Sequence, residues 1–352
     1  MKLFPHPTFP PGVSFALAAA LLFGISTPVA KILLGQVAPV QLAGLLYLGS
    51  GSGLTICWWL RLRFQPGYFQ EASLHVPDLP WLAGATLAGG IAGPLLLLVG
   101  LSLTPASSAS LLLNLEGVFT AAIAWFAFQE HFDFRIALGM AAITAGGLLL
   151  SWVGHPELAS FWGPGAIIGA CLAWGIDNNL TRKIAAGDPL QIAAAKGLIA
   201  GAVNLVLARV AGTDLPPLLT VATSALIGFL SYGVSLTCFV LALRYIGTAR
   251  TGAYFSLAPF IGAALSIVIL GEPLTRPFLV AAGFMGVGFW LHLTERHEHK
   301  HTHELLEHDH RHTHDEHHQH GHREEPHSHL HSHPAIFHSH PHYPDIHHRH
   351  GH

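Results

Sequence analysis

The sequence predicts an all-α integral membrane protein with ten transmembrane helices in an inverted five-plus-five repeat, followed by a disordered histidine-rich tail. Three observations carry this. First, residues 1–292 of the 352 hold only 12 Lys and Arg and 10 Asp and Glu, where soluble proteins carry about 25% charged residues. Second, that body divides into apolar stretches of about 20 residues, long enough to cross a bilayer. Third, its two halves resemble each other. The last 60 residues differ in kind, with 5 Lys and Arg, 10 Asp and Glu, and 23 of the 28 histidines. Such a balance excludes a basic nucleic-acid binder, a secreted disulfide scaffold and a wholly disordered chain.

The spans are expected near 13–34, 40–60, 79–101, 107–128, 134–153, 162–183, 190–211, 217–243, 250–270 and 276–293. Glycine and proline punctuate them at Gly35 to Pro39, Thr104-Pro105, Gly154-His155-Pro156, Gly187-Asp188-Pro189, Leu215-Pro216-Pro217 and Gly271-Glu272-Pro273. Helices are the natural spanning form, because they satisfy their own backbone hydrogen bonds in lipid. The ten-residue alternation of a β-barrel is not visible. The first span follows a single basic residue, Lys2, as a signal peptide would. It is too long for one, however, and carries Pro28 and Lys31.

The repeat rests on three matches in one order. Ala19, Leu21, Gly24, Ile25 and Lys31 fall on Ala170, Leu172, Gly175, Ile176 and Arg182. "PVQLA" from Pro39 falls on "PLQIA" from Pro189. "AAIAWFAFQE" ending at Glu130 falls on "AALSIVILGE" ending at Glu272. Five helices per half is an odd number, so the second half inserts upside down. Inverted repeats are a mark of secondary transporters, with the substrate site at the repeat interface near the midplane. The units are a short N-terminal segment, 1–12, the repeats at 13–153 and 162–293, and the tail, 294–352. Basic loop residues set the orientation. With the N-terminus inside, the cytoplasmic side receives Lys2, Arg61, Arg63, Arg135, Arg182, Lys183, Arg244 and Arg250, against Lys31, Arg209 and Arg276 outside. Both termini are then cytoplasmic, and the expected location is a bacterial inner membrane.

The Gly-centred first span ending in Lys31, and the acidic residues closing spans four and nine ("FQEHFDF", "LGEPLTR"), resemble the EamA type of the drug/metabolite transporter superfamily. The resemblance covers about residues 13–293. It implies a membrane carrier, usually an exporter of small metabolites, with a central cavity between the repeats. One departure stands out. This family often has a proline midway along span four, as span nine has Pro259, whereas the equivalent position here is Gly117, preceded by Glu116.

Glu116 is the sharpest single feature. It lies about ten residues from either end of the 107–128 span, roughly 15 Å deep at 1.5 Å per residue. A charge there costs about 2.5–3.5 kcal/mol to insert and normally faces an aqueous cavity or the bundle interior. It is a candidate cation ligand or proton-coupling carboxylate, and equally a structural carboxyl. Asp177, Asn178 and Asn179 form a polar cluster on the sixth span, with Asp177 and Thr181 on one face. These groups suit a partly dehydrated cation or interhelical hydrogen bonding. Lys196 either snorkels to the surface or pairs with Glu116 or Asp177. Asn114 shares a face with Ser110, Gly117 and Ala121, the stripe of a packing surface that could also border the substrate path. Glu130 and Glu272 read as interfacial ion pairs with Arg135 and Arg276, or as caps. Trp58, Trp59, Trp81, Trp152, Trp162 and Trp290 lie near helix ends as an aromatic belt. Cys57, Cys171 and Cys238 read as reduced thiols facing lipid or core.

The tail alternates His-x-His. The candidate metal ligands are His297, His299, His301, His303, His308, His310, His312, His314, His317, His318, His320, His322, His327, His329, His331 and His333. Neutral imidazole suits nickel, cobalt and zinc, and nearby carboxylates offset metal charge. The expected function is export of a divalent transition metal by alternating access, nickel or cobalt ahead of zinc. The alternative is export of a small metabolite or amino acid, with a tail that buffers or senses metal. The expected partners are the bilayer, metal ions and a small solute, with no nucleic acid. No cofactor is required. No GxxxxGK[ST] motif or nucleophile–base spacing occurs in the body, so gradient coupling is expected rather than ATP use or enzyme chemistry. Because protons compete with metal for imidazole, the affinity of a 293–352 peptide for nickel is expected to fall steeply from about pH 7.5 to about pH 5.5. Titration calorimetry checks this, and a flat profile would count against imidazole ligation.

Overall fold

A computed structural model describes residues 11–64, 74–128, 134–152, 161–185 and 187–293, with four short tail stretches at 300–302, 306–312, 327–333 and 337–339. The body is helical. α1 (Pro11–Leu33) and α2 (Pro39–Phe64) lead into α3 (Leu79–Ala85), a π-helical turn (Thr86–Ala92) and α4 (Gly93–Leu103). Then come α5 (Ala106–Leu112), α6 (Leu115–Phe128) and α7 (Phe134–Trp152). The second half holds α8 (Trp162–Ile184), α9 (Pro189–Val210), α10 (Leu218–Ile227), a second π-helical turn (Gly228–Val234), α11 (Ser235–Phe255), α12 (Leu257–Leu270) and α13 (Arg276–Leu293).

Six stretches are long and apolar enough to span a bilayer: Gly12–Leu33, Pro39–Phe64, Val76–Leu103, Ala106–Ala127, Pro189–Val210 and Leu218–Ile246. Shorter apolar helices occupy Ala137–Ser151, Leu257–Leu270 and Arg276–Leu291. α8 is long enough but is made less apolar by Asp177, Asn178, Asn179, Arg182 and Lys183. Polar groups are buried among the apolar core while many large apolar side chains are exposed. Asp177, Lys196, Asn204 and Ser266 are inside, while Leu87, Val206, Leu219 and Val268 are exposed. This is the arrangement a lipid solvent selects. Trp59, Trp81, Trp162 and Trp290 are exposed as expected of a belt.

Three boundaries differ from the sequence reading. The fourth span is not one helix. It breaks at Leu113 and Asn114, between α5 and α6. The ninth breaks in the same way at Ser256. Pro259 disrupts the ladder locally in the second half. In the first half the equivalent Gly117 is a poor helix former beside polar Asn114 and Glu116. The expected end of the eighth span near residue 243 lies inside α11, which is helical to Phe255 and packs along α1. Ser235 Oγ donates to Ala19 O (2.9 Å) and Gly12 lies against Tyr245 and Ile246, while Gly24 lies against Ala258 and Ile261.

The repeat is visible in the packing. The π turns begin at Thr86 and Gly228, 142 positions apart, the offset that also separates Glu130 from Glu272. α2 and α9, the "PVQLA" and "PLQIA" helices, cross through glycines. Gly51 lies on the backbone of Leu198 and Gly201 on that of Leu48, while Gly44 meets Leu205. Numbers rise along one helix as they fall along the other, so equivalent helices pack antiparallel. α7 and α13 do the same, with Gly146 beside Ala281 and Met285, and Gly288 beside Gly139 and Ile143.

The break at Thr104-Pro105 is held by charges from both halves. Lys31 Nζ donates to the carbonyls of Leu101 (2.5 Å) and Thr104 (2.8 Å). The Glu272 carboxylate accepts from the amides of Ala106 (2.7 Å) and Ser107 (2.8 Å). Each charge sits at the helix end whose dipole favours it. Glu272 is thus a cap across the repeat interface rather than a partner of Arg276. Glu130 lies outside the described residues. Asp188 caps α9 by accepting from Leu190 N (2.9 Å), with Pro189 opening the helix. Gly271 ends α12 with φ +66, a left-handed conformation that favours glycine.

The described stretches of the tail are four short strands. β1 (Lys300–Thr302) pairs antiparallel with β4 (Phe337–Ser339), and β2 (Leu306–His312) with β3 (His327–His333). The His-x-His alternation has the period of a strand, a signal that polar composition had outweighed.

Since a Cβ at Gly51 or Gly201 would overlap the facing backbone, replacing either by Val is expected to cost about 1–3 kcal/mol or more. Gly165→Ala has nothing within 4 Å of the added carbon and is expected to be neutral. Thermal unfolding in detergent compares the three.

Candidate substrate-binding cavity

A cavity of about 60 Å³ opens between the halves, lined from α1 by Phe23, α2 by Tyr47, α6 by Glu116, α8 by Trp174, Asp177 and Asn178, and α9 by Lys196. The second π turn contributes Ser231 and Tyr232, and α11 contributes Ser235, Leu236, Phe239 and Phe255. That volume holds a few waters or a small polar head group.

The polar floor has two parts. Glu116 stands in the first turn of α6, where exposed helix amides favour a negative group. Its Oε1 accepts from Asn178 Nδ2 (2.8 Å), which also donates to Thr120 Oγ1 (3.2 Å). Next to it, Lys196 Nζ lies 2.5 Å from Asp177 Oδ1 and 3.1 Å from Thr181 Oγ1, and Thr181 donates to the same Asp177 oxygen (2.8 Å). Lys196 is 2% exposed and Asp177 7%. A buried pair is tolerated only when both members are held this way. Lys196 therefore does not snorkel, and of its two candidate partners it takes Asp177.

The other sequence candidates separate. Asn179 turns to the helix contact, donating to Thr120 O (3.1 Å) and Gly175 O (2.9 Å). Asn114 lies off the cavity. It is buried, donating to Leu111 O (3.0 Å) and reaching Met285 Sδ at 3.8 Å, so its place is in the α5–α13 packing. Of the tail histidines, His301, His308, His310, His312, His327, His329, His331 and His333 lie on the strands. His297, His299, His303, His314, His317, His318, His320 and His322 lie outside the described residues. Among the described residues no three His, Cys, Asp or Glu side chains come together as a metal site.

The sequence reading missed the aromatic walls. Phe23 meets Trp174 edge-on (5.8 Å between centroids), Tyr232 (5.7 Å) and Phe255 (5.4 Å). Tyr47 lies 5.3 Å from Tyr232, and Phe239 4.9 Å from Phe255. Tyr47 Oη and Trp174 Nε1 both donate to Gly89 O, each at 2.9 Å, in the first π turn. Such turns often sit at functional sites because they leave backbone groups open to side chains. The available signal was position, since Tyr47, Trp174 and Tyr232 fall mid-span while a belt aromatic falls at an end.

The profile of the EamA-like transporter family matches this architecture twice, over residues 10–152 and 161–294. This chain belongs to the EamA-like transporter family. It is an integral membrane transporter, and its two profile matches correspond to the two halves packed antiparallel above. An "uncharacterized transporter" of Methanothermobacter thermautotrophicus is 28% identical over 285 residues, covering 77% of this chain and 81% of that one. A "probable amino-acid metabolite efflux pump" of Salmonella typhimurium is 25% identical over 300 residues, covering 79% and 93%. A solved crystal structure shares the fold at a TM-score of 0.61 and 16% identity, covering 80% of this chain and 94% of that one.

Within this EamA chain, Lys196→Met would strand Asp177 without its cation. The expected cost is about 3–5 kcal/mol, while the double change with Asp177→Asn should recover most of it. Unfolding of the single and double variants in detergent measures the coupling.

Proposed function

We propose that the protein is a secondary exporter of a small organic solute, of the metabolite or amino-acid class, carried by alternating access between the two repeats. The observation that carries the reading is the cavity itself. Six aromatic side chains surround one accessible carboxylate and an internally neutralised ion pair, a lining suited to an organic body with a polar end. The efflux pump of Salmonella typhimurium supports the same class by its printed description. In this reading the ten segments span a bacterial inner membrane with both termini in the cytoplasm, and proton exchange at Glu116 accompanies release.

A second reading is favoured by the tail. Its histidines are paired in the backbone register, His308 with His331, His310 with His329 and His312 with His327. Under it the cargo is nickel, cobalt or zinc, collected by the tail and passed to Glu116. A metal in the body would have to be held largely by oxygen atoms among aromatic rings, a poor match to the ligands these ions prefer. Under the first reading the tail instead buffers or senses metal.

Reconstituted in proteoliposomes, the full chain is expected to move amino acids or amines, and Glu116→Gln to lower that flux about tenfold or more. Flux of Ni²⁺ or Co²⁺ without flux of any organic solute would overturn the first reading in favour of the second.

A further inference from the structure

We infer that the cavity selects a monocationic ammonium compound with an apolar body, and that Glu116 is the residue that sets this preference over zwitterions and anions. The inference rests on the organic-solute reading above and names the charge class within it.

The argument is an inventory of donors and acceptors. A substrate carboxylate needs donors, and the strongest ones lining the cavity are already engaged. Lys196 Nζ is held by Asp177 Oδ1 and Thr181 Oγ1. Asn178 Nδ2 is held by Glu116 Oε1 and Thr120 Oγ1. Trp174 Nε1 and Tyr47 Oη both point to Gly89 O, and Ser235 Oγ to Ala19 O. Of the lining residues, that leaves the hydroxyl of Ser231, which accepts as readily as it donates, while the Tyr232 hydroxyl is met by the side chain of Ser26. An anion drawn to Lys196 would have to part it from Asp177 and leave that carboxylate buried without its cation.

Acceptors are in the opposite condition. Among the described residues, no protein donor reaches Glu116 Oε2. The charged groups lining the cavity are Glu116, Asp177 and Lys196. With the last two neutralising each other, Glu116 is, among the described residues, the one carboxyl of the lining with no cation beside it. Around it stand Phe23, Tyr47, Trp174, Tyr232, Phe239 and Phe255, whose ring faces attract an ammonium and offer nothing to a carboxylate. A charge-assisted hydrogen bond to Glu116 and contacts with these faces together suit R–NH₃⁺ or a methylated ammonium with an apolar R. A compact, strongly hydrated ion gains less from such walls.

Three probes with one aromatic body and different charge test this in proteoliposomes holding the full chain: phenethylamine, phenylalanine and phenylacetate. The expected result is uptake of phenethylamine at least about tenfold above phenylalanine, with phenylacetate at background. Glu116→Gln should bring phenethylamine to within about twofold of phenylalanine, while Glu116→Asp keeps the preference. Uptake of phenylalanine equal to or above phenethylamine would overturn the inference and leave the organic-solute reading standing. Uptake of Ni²⁺ with none of the three probes would overturn both. The wild-type comparison alone decides the charge class, whatever the stability of the Glu116 variants.

Discussion

Backbone hydrogen bonding without water is the constraint on which the rest of this structure depends. A helix interrupted inside a bilayer exposes amides and carbonyls that lipid cannot satisfy. Here the groups at such interruptions are met by side chains, and several of those come from the opposite repeat. Lys31 and Glu272 meet the two sides of the Thr104-Pro105 break. Tyr47 and Trp174 meet the carbonyl of Gly89 in the first π turn. At both places a side chain of the second half, Glu272 or Trp174, meets the backbone of the first, and Tyr47 and Trp174 at the second also line the cavity.

The close approach of α2 and α9 follows from the same economy. Glycines at the crossing bring two backbones together where larger side chains would hold them apart. That proximity sets Tyr47 and Lys196 on neighbouring helices facing one space. The Asp177–Lys196 pair then links α8 to α9, and Asn178 links α8 to α6 through Glu116. The polar floor of the cavity therefore also joins three helices that line it.

Much of this was legible in the sequence, for physical reasons. Apolar stretches of bilayer length are forced by the solvent, so the six long spans could be read from hydropathy alone. Duplication left its mark at Gly24 and Gly175, which lie against helices of the opposite half, and in "PVQLA" and "PLQIA". Glu116, Asp177, Asn178 and Lys196 were conspicuous because charge and amides are costly in such a body. The break at Leu113-Asn114 was hidden, since Gly117 and Asn114 are individually compatible with a helix and only the likeness to Pro259 hints at an interruption. Asn114 was read as part of a packing stripe that could also border the path, and its neighbour Met285, distant in sequence, could not be foreseen. The aromatic walls were hidden because Phe and Trp are as common against lipid as inside. The strands of the tail went unread because period-two histidine resembles a low-complexity tract before it resembles a ladder.

The duplication is faithful in backbone and unfaithful in charge. The repeat counterpart of Glu116 is Ala258, that of Asp177 is Ser26, and that of Lys196 is Leu46. A two-fold scaffold thus encloses a one-sided electric field. On the alternating-access reading proposed above, a cargo that answers to that field meets it from the same side of the cavity whichever face of the membrane is open, in one preferred pose rather than two related by the symmetry of the fold. Gene duplication gave the two halves one backbone, and a handful of unpaired substitutions gave the cavity a charged side.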